Sequence, residues 1–567
     1  MVKLAASTDT FTLEQKILLR QSQMETVRNP YETGTWKDIG RFVHPRRKDI
    51  TLNSAFEYKG RNLGTDSYDG TPLGSLNTWA DGMQGLLLSG RWFRSVMDNP
   101  LLNRIDKVRE WLQVYDLKMY SAFDRGNFYA MVPQWLRDGG SIGTATVFTE
   151  EVIGTGRISH TSIHPREVFI SENEFGEVDT VHRKFMMTAK SAFQKFKEKC
   201  SDTLKRDAKD EPETMHEFIH AVYPNDDIVF GKRTQRNKAF RSIYMETKNG
   251  NAGKVGNIVR DSGFDVNPFT VWRFKKNSDE VYGRSPAADA LTEVFSLNQM
   301  GKTLLEAAHQ SVKPAKNVPV EMRGRVRTDP DGNNYFDDPK RVISVINSGI
   351  QYPIGAEERR EIRDSMQDKF RVKFFQAFIG RTGEATREEI LAIKGEQAGL
   401  LIAQVDMMYI EGIRSLFDIV SDIEDRRGVF TEEAGMPPIP DEIIDSGGKI
   451  NFILTGPLAQ AQREIRELEP VQKTLGNLSE AAAVLGPEML DVVNKDELSE
   501  IILEAGSYPV LAMNSRDRRQ EIRDERAAER ARLEQQQMAL EAAKVAPGLA
   551  KGAEPNSIQE KIVEAVA

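Results

Sequence analysis

The stretch Phe128-Tyr-Ala-Met-Val-Pro-Gln-Trp-Leu-Arg-Asp-Gly-Gly-Ser-Ile-Gly-Thr-Ala-Thr-Val-Phe148 contains the change of period that decides the fold. Its first half sets Phe128, Met131, Trp135 and Leu136 at three- and four-residue spacing, which predicts a helix with one apolar face. Gly139-Gly140 predicts the helix end. From Gly143 the period becomes two, and Thr144–Phe148 reads as a strand. Helices before this point and strands after it predict an α+β fold.

Working outward, the N-terminal side stays helical. Thr71-Pro72 predicts an N-cap followed by proline at the first helical position. Leu76, Trp79, Met83 and Leu86 continue that helix, and Gly90 is placed to end it. A further helix carries Val108, Trp111, Tyr115 and Phe123 on one face. On the C-terminal side, Arg157–Ile163, Glu177–Arg183, Glu217–Tyr223, Ala239–Glu246 and Phe269–Phe274 alternate like strands and predict a small antiparallel β unit packed on the helices. Lys205–Glu213 reads as a charged loop.

Past Gly283 the chain reads as mainly helical. Pro286–Gln310 predicts one helix, and Lys313–Pro353 is irregular. Ala356–Phe378 predicts a second helix of ~35 Å, with Ile362, Met366, Phe370, Phe374 and Phe378 four apart. A glycine-flanked loop, Ile379–Ala385, leads to the capping box Thr386-Arg-Glu-Glu389, which opens a long helix ending before Gly428. Lys449–Leu454 reads as a strand, and Leu458–Leu503 as helices interrupted at Gly486-Pro487. Ser515–Lys544 is charge-balanced and poor in apolar residues, so it is either a solvated helix or one that packs against copies of itself.

Composition narrows the function. At ~150 residues per domain, 567 residues suggest about four structural units. The net charge of −8 argues against a basic nucleic-acid coat. One cysteine, Cys200, excludes a disulfide framework and a zinc or iron–sulfur cluster built within one chain. No apolar run approaches the ~18 residues that span a bilayer, so no membrane partner is expected. Met1–Arg20 has no apolar core, and no signal peptide is expected. All six tryptophans fall between Trp36 and Trp272. That asymmetry predicts a compact N-terminal half and an elongated, assembly-forming C-terminal half.

The motifs that suggest chemistry have simpler readings. Gly301-Lys302-Thr303 lacks the earlier glycine of a phosphate loop, whose place Ser296 takes, and it sits within a predicted helix. Asp329-Pro-Asp331-Gly332 resembles a calcium loop, but its glycine comes two positions early and no glutamate closes it, so a hairpin turn is expected. His160 and His164 lie in strand-like sequence without further ligands. Cys200 reads as a structural thiol. There is no nucleophile elbow and no His-Glu-x-x-His. No catalytic residue, metal or cofactor is expected.

Several phrases occur together in order: Thr71…Trp79-Ala-Asp-Gly-Met-Gln-Gly-Leu-Leu…Gly90-Arg-Trp92-Phe93, Gly126-Asn-Phe-Tyr129, Gly143-Thr-Ala145, Gly176-Glu-Val-Asp…Arg183-Lys-Phe, Pro268…Trp272-Arg273…Tyr282-Gly-Arg-Ser-Pro286, Leu297-Asn298, Thr386-Arg-Glu-Glu389 and Leu454-Thr-Gly-Pro-Leu-Ala459. Over about residues 30–540 the chain resembles the head-to-tail connector, or portal, proteins of short-tailed bacteriophages (podoviruses). The resemblance implies a virion protein, assembled in the host cytoplasm. It further implies a ring of about twelve copies at one capsid vertex, through which double-stranded DNA passes during packaging and ejection. The implied partners are further copies, DNA, the major capsid protein, the terminase large subunit and a tail adaptor protein.

The implied architecture is a portal fold. Residues 1–284 form a wing, 285–312 and 355–378 two stem helices, and 313–354 an α/β clip between them. Residues 379–386 form a tunnel loop, 387–455 a return to the wing, 456–511 a helical crown, and 512–567 a barrel helix and tail. Arg381, Thr382 and Arg387 would then face DNA as weak, exchangeable contacts. Arg323, Arg325 and Arg327, at period two on a strand, would dock the motor or the adaptor. Ile362, Met366, Phe370 and Phe374 would pack against neighbouring copies, or else form an ordinary amphipathic core helix within one chain. The competing readings are another helical virion or scaffold protein without a DNA channel, a nucleotide-driven packaging enzyme, and an intracellular adaptor with a coiled-coil tail. The second lacks a Walker A loop, and the third lacks a sustained heptad.

Overall fold

The computed structural model describes residues 11–47, 66–228, 234, 236–247, 256–327, 333–335, 338, 343–346, 352–379, 405–457, 459, 469–505, 513–514 and 516–549. In chain order the helices are α1 (Leu13–Tyr31), α2 (Lys37–Phe42), α3 (Thr71–Leu87), α4 (Asp106–Arg125), α5 (Phe128–Ile142), α6 (Ala189–Phe196), α7 (Asp202–Asp210), α8 (Pro286–Asp289), α9 (Leu291–Val312), α10 (Tyr352–Lys369), α11 (Val372–Ile379), α12 (Arg414–Arg426), α13 (Asp441–Asp445), α14 (Glu469–Leu485), α15 (Lys495–Ala505) and α16 (Arg516–Leu549). The strands are β1 (Phe93–Met97), β2 (Thr144–Val152), β3 (Arg157–Ile163), β4 (Val168–Glu172), β5 (Val178–Thr188), β6 (Met215–Pro224), β7 (Phe240–Glu246), β8 (Asn257–Phe264), β9 (Phe269–Arg273), β10 (Lys316–Asn317), β11 (Ser344–Val345) and β12 (Ile450–Leu454). The fold is mixed α+β. One unit comprises Met1–Arg94, Leu117–Gly435 and Ile453–Val493; the other comprises Ser95–Asp116, Met436–Phe452 and Asn494–Ala567.

The handover at α5 and β2 is as expected, but the helix end is not. α5 runs through Gly139-Gly140 and stops at Gly143, whose φ of +89° is the left-handed conformation glycine favours. The two earlier glycines make room. A Cβ on Gly139 would lie 2.2 Å from the Trp272 ring, and one on Gly140 would lie 2.6 Å from Trp79. Two fully buried indoles therefore sit directly on the α5 backbone.

The β region is larger than the sequence pattern suggests. An antiparallel sheet of order β3-β2-β9 stands beside a five-stranded antiparallel sheet of order β4-β5-β6-β7-β8. β4 and β8 escape the alternation rule because β4 begins with three buried residues and β8 carries Asp261 and Arg260 among its apolar positions. One face of the larger sheet packs Phe185, Phe218 and Tyr244 against Phe196, Cys200 and Leu204. The other face packs Ile219, Ile243 and Met245 against Ile17 of α1. The expected loop at Lys205–Glu213 is mostly helix α7. Ser201 caps it by accepting from the Leu204 amide at 3.2 Å, and its leucine, Leu204, is buried.

Three further helix expectations change. Thr71 is not the cap of α3: it is the first helical residue, and the Asp69 carboxylate accepts from its amide at 2.9 Å. The helix expected over Pro286–Gln310 is broken at Ala290 into α8 and α9. The helix expected over Ala356–Phe378 is broken at Phe370-Arg371, where Arg371 has φ +54°. Elsewhere the reading holds: Ile450–Leu454 is a strand, Gly486 at φ +111° ends α14, and α12 ends before Gly428. In the second unit, Asp496 and Glu500 of α15 accept from Arg516, Arg519 and Arg523 of α16. Every side chain of α16 from Arg523 to Met538 is exposed.

Candidate functional site

α9 carries one apolar stripe along its length. At about 100° per residue, Val294, Leu297, Gly301, Leu305 and Val312 fall within about 80° of one another. The first three are buried by the chain itself, whereas Leu305 is 49% and Val312 78% exposed. The stripe thus continues past the body that covers it. Gly301 is a packing glycine, since a Cβ there would lie 3.1 Å from the Tyr68 carbonyl oxygen. The Gly301-Lys302-Thr303 motif lies within α9 as expected.

α10 is fastened by a charged clasp. The buried Asp69 accepts from Arg359 and Arg363 at 2.9 Å each. Burial opposes ionisation of Asp69, but its bonds from Thr71, Arg359 and Arg363 outweigh this and hold the carboxyl below its ordinary range.

The apolar residues of this region answer the question the sequence left open. Met366 and Phe370 have no exposure within a single chain, and Phe374 is buried. Expected to face neighbouring copies, these three instead form an intrachain core that no neighbour can reach. Ile362 is half-buried. The break at Arg371 follows from the same packing. Relative to Met366, an unbroken helix would place Phe370 at about 40° but Phe375 at about 180°. The break brings both inward, and Phe375 lies on α3 where a Cβ at Gly82 would come within 2.2 Å of it.

Between α9 and α10, β10 and β11 form a short antiparallel ribbon with Lys316 opposite Val345 and Asn317 opposite Ser344. Farther along, the Asn334 side chain exchanges two hydrogen bonds of 2.8 Å with the Arg327 backbone. A two-stranded ribbon is marginal on its own. In and around this one Val320, Tyr335, Val345 and Ile346 are exposed. Arg323, Arg325 and Arg327 are also exposed, but not on a strand. They follow a 3-10 turn at Val320–Met322, and Gly324 has φ +78°, so they do not line one side at period two. Arg381, Thr382 and Arg387 lie outside the described residues, as do Asp329–Gly332.

The remaining chemical candidates are structural. His160 is buried in β3, its Nδ1 3.0 Å from the Thr149 hydroxyl, and burial lowers its pKa to about 4. His164 Nδ1 accepts from the Arg166 amide at 3.1 Å, and burial, reinforced by Arg47 and Arg166, lowers its pKa to about 2. The Cys200 thiol is buried in the sheet core, which pushes its pKa up to about 11. Among the described residues no group of three or more His, Cys, Asp or Glu could hold a metal ion. None of their helices is long and apolar enough to cross a membrane.

Sequence reasoning missed Leu305 and Val312. Their seven-residue spacing in line with Val294 was the available signal. It also missed the clasp at Asp69, because its arginine partners lie 290 and 294 residues away.

Comparison with known proteins agrees across nearly the whole chain. The family of bacteriophage head to tail connecting proteins matches residues 14–511. The chain is 25% identical over 527 residues to the portal protein of Salmonella phage epsilon15, covering 91% of each chain. It is 27% identical over 505 residues to the probable portal protein of Bordetella phage BPP-1, covering 86% of each.

Proposed function

This chain belongs to the family of bacteriophage head to tail connecting proteins, and on that premise we propose that its copies close into a ring at one capsid vertex around a channel for double-stranded DNA. The observation that carries the reading is the apolar stripe of α9, which runs on uncovered into a ribbon with exposed apolar residues of its own. A ring of identical subunits needs a surface of this kind on each copy, joined heterologously with a rotation that closes. In this reading 285–312 and 355–378 are the stem, 313–354 the clip, 1–284 and 387–455 the wing, 456–511 the crown and 512–567 the barrel and tail. Leu305, Val312 and Ile362 meet the neighbouring copy. The uncovered length of α16 packs against its equivalents.

The channel must let DNA slide. A strongly cationic wall would hold phosphates through counterion release, whereas an acidic protein with a few basic contacts would not. Arg381, Thr382 and Arg387 are the proposed contacts in the tunnel loop and at the start of the following helix. The exposed guanidiniums of Arg323, Arg325 and Arg327 suit an acidic partner, the packaging motor or the tail adaptor. The wing is the proposed seat for the major capsid protein. The chain acts as a conduit and attachment point and performs no catalysis itself. Arg381→Glu tests the channel: rings should form normally while packaged or retained DNA falls, and an unchanged phage titre would refute the assignment.

A further inference from the structure

The β2–β3 turn projects Ile153, 88% of whose surface is exposed, from a stiff frame. The Val152 carbonyl accepts from the Thr155 amide at 3.2 Å and from its hydroxyl at 2.9 Å, and that hydroxyl accepts from the Arg157 amide at 3.3 Å. Gly154 at φ +83° and Gly156 at φ +65° make the turn. Arg157 is exposed beside the tip and has no ion-pair partner among the described residues. Glu151 faces Arg427 at 3.8 Å, and Glu150, set back from the tip, stands near Lys195 and Arg260. The tip is therefore apolar with one free positive charge. A side chain held this way loses little freedom on docking.

A cavity of about 480 Å³ opens at the other end of β2. Val27, Pro30, Tyr31 and Ile142 give it apolar walls, and its charged groups are Asp279, Glu280 and Arg284. Glu280 accepts from Arg284 at 2.9 Å and from Asn277 at 2.9 Å, which closes that pair. Asp279 is exposed and has no ion-pair partner among the described residues, so one negative charge remains. Burial and Glu280, opposed by Arg284 and joined by Asp279, raise the Tyr31 hydroxyl above its ordinary pKa. The mouth is bare of charge: every exposed residue from Leu19 to Gly34 is uncharged, in a chain with 29% charged residues. Interface cores show this depletion. Cavities of roughly 300–1,000 Å³ bury small ligands, so there is room for a narrow turn and its isoleucine.

Projection and cavity lie far apart on one chain. At the cavity wall, the Gly283 amide donates to the Thr144 hydroxyl at 2.9 Å. Ile153 follows the nine residues of β2 that begin at Thr144, a span of roughly 30 Å. The helix alongside gives the same answer. Glu411 accepts from the Arg273 amide at 2.9 Å, opposite Thr144, whereas Arg427 lies against Gly156 in the turn. The helical run between them spans roughly 24 Å.

We propose that the Ile153 turn of one copy enters the Tyr31 cavity of the next copy in the ring. A projection and a receptacle at opposite ends of a subunit make a heterologous contact, the type that generates rings. Charge agrees with this occupant: Arg157 would meet Asp279 as Ile153 enters, whereas Asp279 would repel DNA phosphates. The inference rests on the ring reading above.

The test is a disulfide trap in the full chain. Cys200 is the sole native cysteine and is buried, so the background is clean. A disulfide needs Cα atoms within ~7 Å, so Ile153 and Val27 variants cannot link inside one chain. The double variant Ile153→Cys, Val27→Cys, oxidised after assembly, should give a ladder of covalent multimers on a non-reducing gel. Each single variant should give none beyond dimers. Arg157→Glu should raise the concentration needed for half-maximal assembly about tenfold, with unfolding of the unassembled chain unchanged, and adding Asp279→Arg should restore assembly. Rings seen by electron microscopy whose double variant stays unlinked, or which assemble normally with Arg157→Glu, overturn this contact, leave the cavity to another partner and leave the ring standing. If the unaltered chain forms no rings, the ring reading fails and takes the contact with it.

Discussion

Truncating Met366 and making Leu305 and Val312 polar should have opposite consequences. Met366 has no exposure in one chain, so Met366→Ala removes buried volume and should destabilise the subunit by about 2–5 kcal/mol. Leu305 and Val312 keep 49% and 78% of their surface exposed. Full burial of such a side chain is worth about 1.5–3 kcal/mol, so covering what remains exposed is worth about 2–4 kcal/mol for the pair. Leu305→Ser with Val312→Ser should therefore weaken each subunit contact roughly 30- to 1,000-fold. The subunit itself should lose only about 1–2 kcal/mol, the share of the two side chains that the chain already covers. Mass photometry across a concentration series reads the assembly, and urea unfolding of the unassembled chain reads the subunit. The reasoning is refuted if the serine pair assembles like the parent, or if Met366→Ala leaves the urea midpoint unmoved.

Gly139→Ala forces a methyl into the Trp272 ring and should cost about 1–3 kcal/mol. Gly85→Ala in α3, which has nothing within 4 Å of the added Cβ, should instead stabilise by about 0.5–1 kcal/mol, and urea midpoints compare the two. Burial lowers the pKa of His160 to about 4 and that of His182 to about 3, with Arg20 adding to the shift at His182. In the unfolded chain both take up protons near the ordinary imidazole value of 6.5, so below that pH the unfolded state binds more protons and stability falls. The slope should approach about 1.4 kcal/mol per pH unit for each histidine down to their folded values. His182→Gln should reduce it, as followed by unfolding at stepped pH. Reversing Arg323, Arg325 and Arg327 together to glutamate should leave the subunit's unfolding unchanged while abolishing co-purification with motor or adaptor; full retention of both would discard the docking role.

What the sequence made legible was local. The period change at Gly143, the strand Arg157–Ile163 and the strand at Ile450–Leu454 depend on alternation and nearby turn residues, and they stand close to where they were read. What was illegible depended on distant partners. Gly139-Gly140 reads as a break until Trp79 and Trp272 fill the space above it. Met366, Phe370 and Phe374 make a stripe that suits either a neighbour or the chain's own core, and only their lack of exposure decides. Arg323, Arg325 and Arg327 lost their shared face because Gly324 turns the backbone between them. Leu305 and Val312 belong to the same stripe as Val294 and Leu297, but the sequence does not mark where the covering body stops.

The claim on which the rest depends is that separate copies join around an open centre. Electron microscopy of the purified full-length chain addresses it directly. The account predicts annular particles with a hole wide enough for a DNA duplex and one rotational symmetry. Particles that remain single chains at every concentration, or oligomers with a filled centre, would contradict it.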